Sequence, residues 1–155
     1  MEQAMKAFDV MTWGAISIRA DESILRAAQL MLEYKISGLP VIAASGHLVG
    51  IVTEAGLLNR SSRNDLANGR SVKEIMTPNP NSINGDAPLK DIVGLARKHR
   101  IKHLPVVDDE HVVGMVSRAD ILQAFVNFAR AAKPQPEEAV YAATVRDDLS
   151  LQPGA

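Results

Sequence analysis

The chain has 155 residues, 46% of them hydrophobic, enough for one core of ordinary size or two half-cores that share an interface. Seventeen basic residues stand against eighteen acidic ones, which leaves no electrostatic footprint for nucleic acid or an anionic membrane, and no apolar run approaches the roughly 20 residues that span a bilayer. With no basic-then-apolar leader a cytoplasmic location is expected, and with no cysteine there are no disulfides, thiolate nucleophiles or thiolate metal sites.

The first element in chain order is a short strand over Ala15 to Ile18, with Asp21, Glu22 and Ser23 offering polar caps for the helix that follows. In that helix Ile24, Ala27, Ala28, Met31 and Leu32 fall at helical spacing and make an apolar face. Gly38 and Pro40 close the helical region, Leu39 to Ile42 reads as a buried strand, and Ser45-Gly46 is a hairpin turn. Leu48 to Val52 is the returning strand, after which Thr53 caps a helix carrying Leu57 and Leu58. The unit is β-α-β-β-α. Arg60 to Lys73 is polar and carries Gly69 and three serines, so it reads as a surface connection.

The unit then repeats. Asp9-Val-Met-Thr12 returns as Glu74-Ile-Met-Thr77 and Ile36-Ser-Gly-Leu-Pro-Val41 as Ile101-Lys-His-Leu-Pro-Val106, both at an offset of 65. Gly50-Ile-Val-Thr53 is answered by Gly114-Met-Val-Ser117 at 64, because the second hairpin turns through the shorter Asp108-Asp109-Glu110. In this copy Ser82-Ile83 is the strand, and Asp86 caps a helix with Pro88 in its first turn and an apolar face of Leu89, Ile92, Val93 and Ala96. Leu104 to Val107 and Val112 to Val116 are the hairpin strands, and Ser117 opens a helix with Ile121, Leu122 and Phe125. The boundaries are copy one at 9–60, a linker at 61–73, copy two at 74–126, and a tail at 127–155 that is either a short helix over Glu137 to Leu149 or disordered. Two copies of one supersecondary unit bury their apolar faces against each other, and function is expected at their seam.

Each copy has a Met-Thr before its first strand, a Leu-Pro-Val entering the hairpin and a Gly-apolar-apolar-Thr/Ser turn into the closing helix. In these motifs residues 9–126 resemble a tandem pair of cystathionine-β-synthase (CBS) domains. The resemblance implies an α/β fold of two repeats related by a pseudo-twofold axis, small mixed sheets packed with helices, and two clefts between the copies. It also implies adenosine ligands in those clefts, AMP, ADP or ATP before S-adenosylmethionine, and a regulatory role without catalysis. Such pairs associate again into flat homodimers and can act on a further regulated protein. The alternative function is a homodimeric interaction scaffold with no nucleotide.

By the family pattern one cleft is built from Thr12, Ile16, Ile36 and Ser37 of the first copy with Ser117, Arg118 and Asp120 of the second, Ile16 and Ile36 flanking the adenine. Beside the resemblance, Ser117 at a helix start places unsatisfied N–H groups and a positive dipole end where an anion can sit. A carboxylate one turn in, Asp120, can accept from both ribose hydroxyls, while Arg118 and the basic Lys102-His103 supply cations for phosphates. The opposite, weaker cleft uses Thr53, Thr77, Ile101 and Lys102, and departs from the pattern by having Gly56 where the ribose-binding acid should stand. One tight ligand per chain follows, with Gly56→Asp expected to create a second site.

Each of these residues also has a plainer explanation. Ser117 with Asp120 is equally a capping box, and Gly56 shows that one copy folds without it. His99 and His103 are four apart but lie on either side of a helix end, so no metal site is expected, and no enzyme is expected for want of a nucleophile–base–acid set or a phosphate-binding glycine loop. His47 and His111 read as solvent-exposed turn residues, Met11 and Met76 as packing, and Trp13 as an interface anchor.

Overall fold

The computed structural model describes residues 5–100 and 102–132, so Ile101 and the expected tail helix lie outside the described residues. Two compact units are present, Met1–Ile121 and Leu122–Ala155. The first holds two four-stranded mixed sheets.

A short helix α1 (Ala7–Val10) leads into β1 (Thr12–Trp13), then β2 (Ile18–Arg19), α2 (Ile24–Tyr34), the hairpin β3 (Gly38–Ile42) and β4 (Leu48–Thr53), and α3 (Glu54–Arg60). The second copy repeats the series as α5 (Val72–Ile75), β5 (Thr77–Pro78), β6 (Ile83–Asn84), α6 (Leu89–His99), β7 (His103–Asp108), β8 (His111–Ser117) and α7 (Arg118–Ala131). Between the copies the expected irregular connection contains a helix, α4 (Arg63–Ala67), closed by a reciprocal cap in which Ser62 and Asp65 each accept from the other's backbone N–H.

Strand order carries the main difference from the sequence reading. One sheet runs β1-β8-β7-β6 and the other β2-β3-β4-β5. Each Met-Thr lead therefore leaves its own copy and joins the edge of the other: Thr12 opposes Met115, and Thr77 opposes Ile51. The cores exchange in the same way. Val72 and Ile75 are buried with Ile18, Ile24, Met31, Leu39, Val41 and Val52, whereas Ala7 and Met11 are buried with Ile83, Ile92, Leu104, Val106 and Val116. Gly50 and Gly114 make the crossing possible: a Cβ at Gly114 would lie 2.8 Å from the Thr12 carbonyl and overlap the Met11 thioether, and one at Gly50 would meet Thr77 and Met76 in the same way.

Local chemistry explains the helix ends. Ser23 alone caps α2, its side chain accepting from Arg26 N at 3.1 Å. Asp86 does not cap α6; Pro88 holds that position without a side-chain bond, and Asp86 pairs instead with Lys6 at 3.6 Å. Both α2 and α6 end on a left-handed residue, Lys35 (φ 54°) and Arg100 (φ 51°), which turns the chain toward the seam. On α2 the buried face is Ile24, Ala27, Leu30 and Met31; Leu32 is 80% exposed, as is Leu58 on α3 at 82%. His47 and His111 are not simply solvated turn residues. They form an antiparallel bridge between the two hairpin tips, with ring centroids 4.8 Å apart. In the second unit, Leu122, Phe125, Val126 and Phe128 of α7 are exposed. Among the described residues no helix is long and apolar enough to cross a membrane.

Candidate functional site

A cleft of about 450 Å³ lies between the copies. Its first side comes from the lead of copy one, Thr12 and Gly14 to Ile16, and from Lys35 to Gly38, which the left-handed end of α2 delivers to the seam. The second side is His103, Met115, Ser117, Ala119 and Asp120. Six of the sequence-derived residues, Thr12, Ile16, Ile36, Ser37, Ser117 and Asp120, thus line one cavity although they are scattered over most of the chain. Arg118 does not line it. Its guanidinium donates to the Arg100 carbonyl at 3.3 Å, because the first helical residue projects away from the cleft that its neighbours border.

Asp120 is held by the cap that its spacing implied. Its Oδ2 accepts from Ser117 N at 2.8 Å, and Ser117 Oγ accepts from Asp120 N at 3.2 Å. Capping consumes one carboxylate oxygen and fixes the plane of the group, while Oδ1 makes no hydrogen bond among the described residues. A pre-positioned acceptor at the N-terminus of a 14-residue helix can receive a ligand hydroxyl, and the helix N–H groups beside it can receive an anion.

At the mirror-image position there are two smaller hollows of about 230 and 190 Å³, which share Ile51 and Thr77. Thr53, Gly56 and Arg60 line the first of them. Thr53 caps α3 through Gly56 N at 3.0 Å, with no carboxylate at position 56 to complete the box. Arg60 instead donates to the Ile75 carbonyl at 3.1 Å and to Thr77 Oγ1 at 3.4 Å, so a guanidinium fills this side. The expected Lys102 is exposed and borders none of these hollows.

Two residues that matter here had their signal in the repeat alignment. Arg60 corresponds to Ala124 at the offset of 64, and His103 to Gly38 at 65. His103 faces Gly38 across the seam, with its ring atoms 3.0–3.2 Å from where a Gly38 Cβ would stand, and its Nε2 is 2.8 Å from Ser37 Oγ. Burial first, and then Lys102, push its pKa below the ordinary imidazole value; Glu54 opposes this and Arg118 adds to it. It is therefore a neutral hydrogen-bonding group near pH 7 and not the standing cation that the basic Lys102-His103 pair implied.

A family model described as CBS domain matches residues 7–63 and 72–127. The chain belongs to the CBS domain family. Similar curated proteins include an L-aspartate semialdehyde sulfurtransferase of Methanocaldococcus jannaschii, 31% identical over 76% of this chain and 22% of that one. A homoserine O-acetyltransferase of Methanocorpusculum labreanum is 39% identical over 73% of this chain and 23% of its own length. The CBS pair therefore spans about a quarter of the first curated relatives it matches, but 80% of the CBS domain-containing protein YhcV of Bacillus subtilis, at 29% identity. Among solved structures, CBSX2 in complex with AMP superposes with a TM-score of 0.71 at 28% identity, over 81% of this chain and 99% of that one. A CBS domain pair in complex with 5′-methylthioadenosine and S-adenosyl-L-methionine gives 0.72 at 29%, over 81% and 98%. CBS-pair proteins of this fold thus bind adenosine ligands.

Proposed function

We propose that this CBS pair is a regulatory module that binds one adenosine nucleotide, AMP, ADP or ATP, in the 450 Å³ cleft, and that it signals through a homodimer or a bound partner in the cytoplasm. The observation that carries the reading is the convergence of Thr12, Ile16, Ile36 and Ser37 from one copy with Ser117 and Asp120 from the other on that single cavity. Ile16 and Ile36 offer apolar faces for a base, Asp120 an acceptor for ribose, and the α7 N-terminus donors for a phosphate. Relatives of the same fold that hold AMP or S-adenosyl-L-methionine support the class of ligand.

Arg60 and the missing acid at Gly56 favour a single ligand per chain. Ser37 and His103 touch, but no carboxylate is hydrogen-bonded to His103 Nδ1 among the described residues, which favours binding over nucleophilic catalysis. Leu25, Leu32 and Tyr34 on α2 and Leu58 on α3 are exposed apolar side chains on helices that touch each other, and a second copy would cover them.

Calorimetric titration of the chain with AMP, ADP, ATP and S-adenosylmethionine, with 2′-deoxyadenosine monophosphate as control, tests the function. One site per chain that prefers ribose over deoxyribose is expected. Failure of all four ligands to bind would leave the scaffold reading in its place.

A further inference from the structure

His103 departs from the symmetry of the repeat inside the cleft, standing where the first copy has Gly38. In the β7–β8 ladder it stands directly opposite Ser117, the residue that opens α7, so its ring lies beside the helix N-terminus. Directly opposite side chains have Cβ atoms about 4.5–5.5 Å apart, within reach of a common ligand group. The empty space over Gly38 accommodates the ring, and its Nε2 contacts Ser37 Oγ at 2.8 Å.

We propose that His103 makes the cleft selective for anionic over uncharged adenosine ligands by taking up a proton as the anion binds. This rests on the nucleotide reading above. The charged groups around His103 are Lys102 just before its strand, Lys35 at the cleft wall, Arg118 and Asp120 on α7, and Glu54 on α3. Three cations against two acids oppose a further positive charge while the cleft holds no anion. A phosphate at the α7 N-terminus reverses the sign of the local potential and favours imidazolium. Once protonated, the ring can only donate, so Nε2–H gives its hydrogen to Ser37 Oγ and the serine hydroxyl keeps its own proton for the ligand.

The sign follows from linkage. Because binding raises the imidazole pKa, affinity for the anion rises as pH falls through the interval between the free and bound values, by at most about tenfold per pH unit for one proton. Adenosine, which has no charge to offer, shows no such dependence.

The test is calorimetry of the full chain with AMP and with adenosine at pH 7.5, each in two buffers of different protonation enthalpy, so that the difference in heat counts protons. AMP should take up a fraction of a proton per site and adenosine none. In His103→Gln, AMP should bind more weakly and its proton uptake should fall to whatever the phosphate itself contributes. An NMR titration of the His103 imidazole in the unmodified chain, with and without AMP, gives the same answer should the variant fail to fold. AMP binding with no proton uptake, or with uptake unchanged in His103→Gln, overturns this inference and leaves the nucleotide reading standing. Absence of binding by both probes overturns the two together.

Discussion

Replacing Asp120 by alanine separates the two tasks that its carboxylate is placed to perform. The stability task is the bond from Ser117 N to Oδ2 at 2.8 Å; the reciprocal bond from Asp120 N to Ser117 Oγ uses the backbone and survives. Losing half of a capping box costs about 1 kcal/mol, a fall of about 4 °C in the melting temperature of a unit this size. The ligand task is bounded by the same geometry. Oδ2 is already engaged, so at least one full charge-assisted bond to ribose, worth about 1.5–3 kcal/mol, is at stake through Oδ1. That corresponds to about a ten- to hundredfold weaker AMP complex. Calorimetry and thermal melting on the same preparation read both numbers, and 2′-deoxyadenosine monophosphate gives the control: the variant should no longer prefer AMP over it. AMP affinity within twofold of the unmodified chain, or a surviving preference for ribose, would refute the role and leave Asp120 as a cap alone.

Gly56→Asp should complete a capping box with Thr53 and pair with Arg60 four residues on, raising stability by about 0.5–1 kcal/mol in urea unfolding without opening a second site. A second AMP per chain should appear only when Arg60→Ala is added; a second site in the single variant would show that Arg60 does not block the cleft. Gly114→Ala should cost about 1–3 kcal/mol because its Cβ meets the Thr12 carbonyl, whereas Gly94→Ala on α6, with nothing within 4 Å, should gain about 0.5–1 kcal/mol. Equal denaturation midpoints for the two would contradict the close crossing of the lead strand. Leu32→Glu combined with Leu58→Glu should halve the light-scattering mass from two chains to one, and an unmodified chain that already scatters as one would dispose of the homodimer.

Much of the fold was legible because it is written in short-range patterns that occur twice. Thr53 and Ser117 open helices in both copies, the Leu-Pro-Val strands pair with the returning strands that carry Gly50 and Gly114, and Ile24, Ala27 and Met31 sit inward. The exchange of leads was not legible. Thr12–Trp13 and Thr77–Pro78 are two residues each, too short for any periodicity, and whether such a strand joins its own sheet or the neighbour's is decided by the room that Gly50 and Gly114 leave. Leu32 misled because a helix face is narrower than the set of apolar residues near it, and Leu30 took the inward place. At the site, motif positions named six of the residues that line the cleft but neither Arg60 nor the contact of His103 with Ser37. Both are departures from the repeat, Arg60 against Ala124 and His103 against Gly38, which no motif encodes.

The exchanged leads also set an order of assembly. Ala7 to Trp13 are made before the rest of both copies, yet β1 has no partner until Met115 and Gly114 of β8 have been made, and Met11 waits for the core around Leu104 and Val116. The lead of copy two has no such delay, since β4 is complete before Thr77 leaves the ribosome. The sheet that belongs to copy one can therefore close while copy two is still being made, whereas the lead of copy one must wait for β8. Pairing of that strand brings Thr12 to Ile16 against Ser117 and Asp120, so the cleft between the copies is complete only once β1 has joined β8.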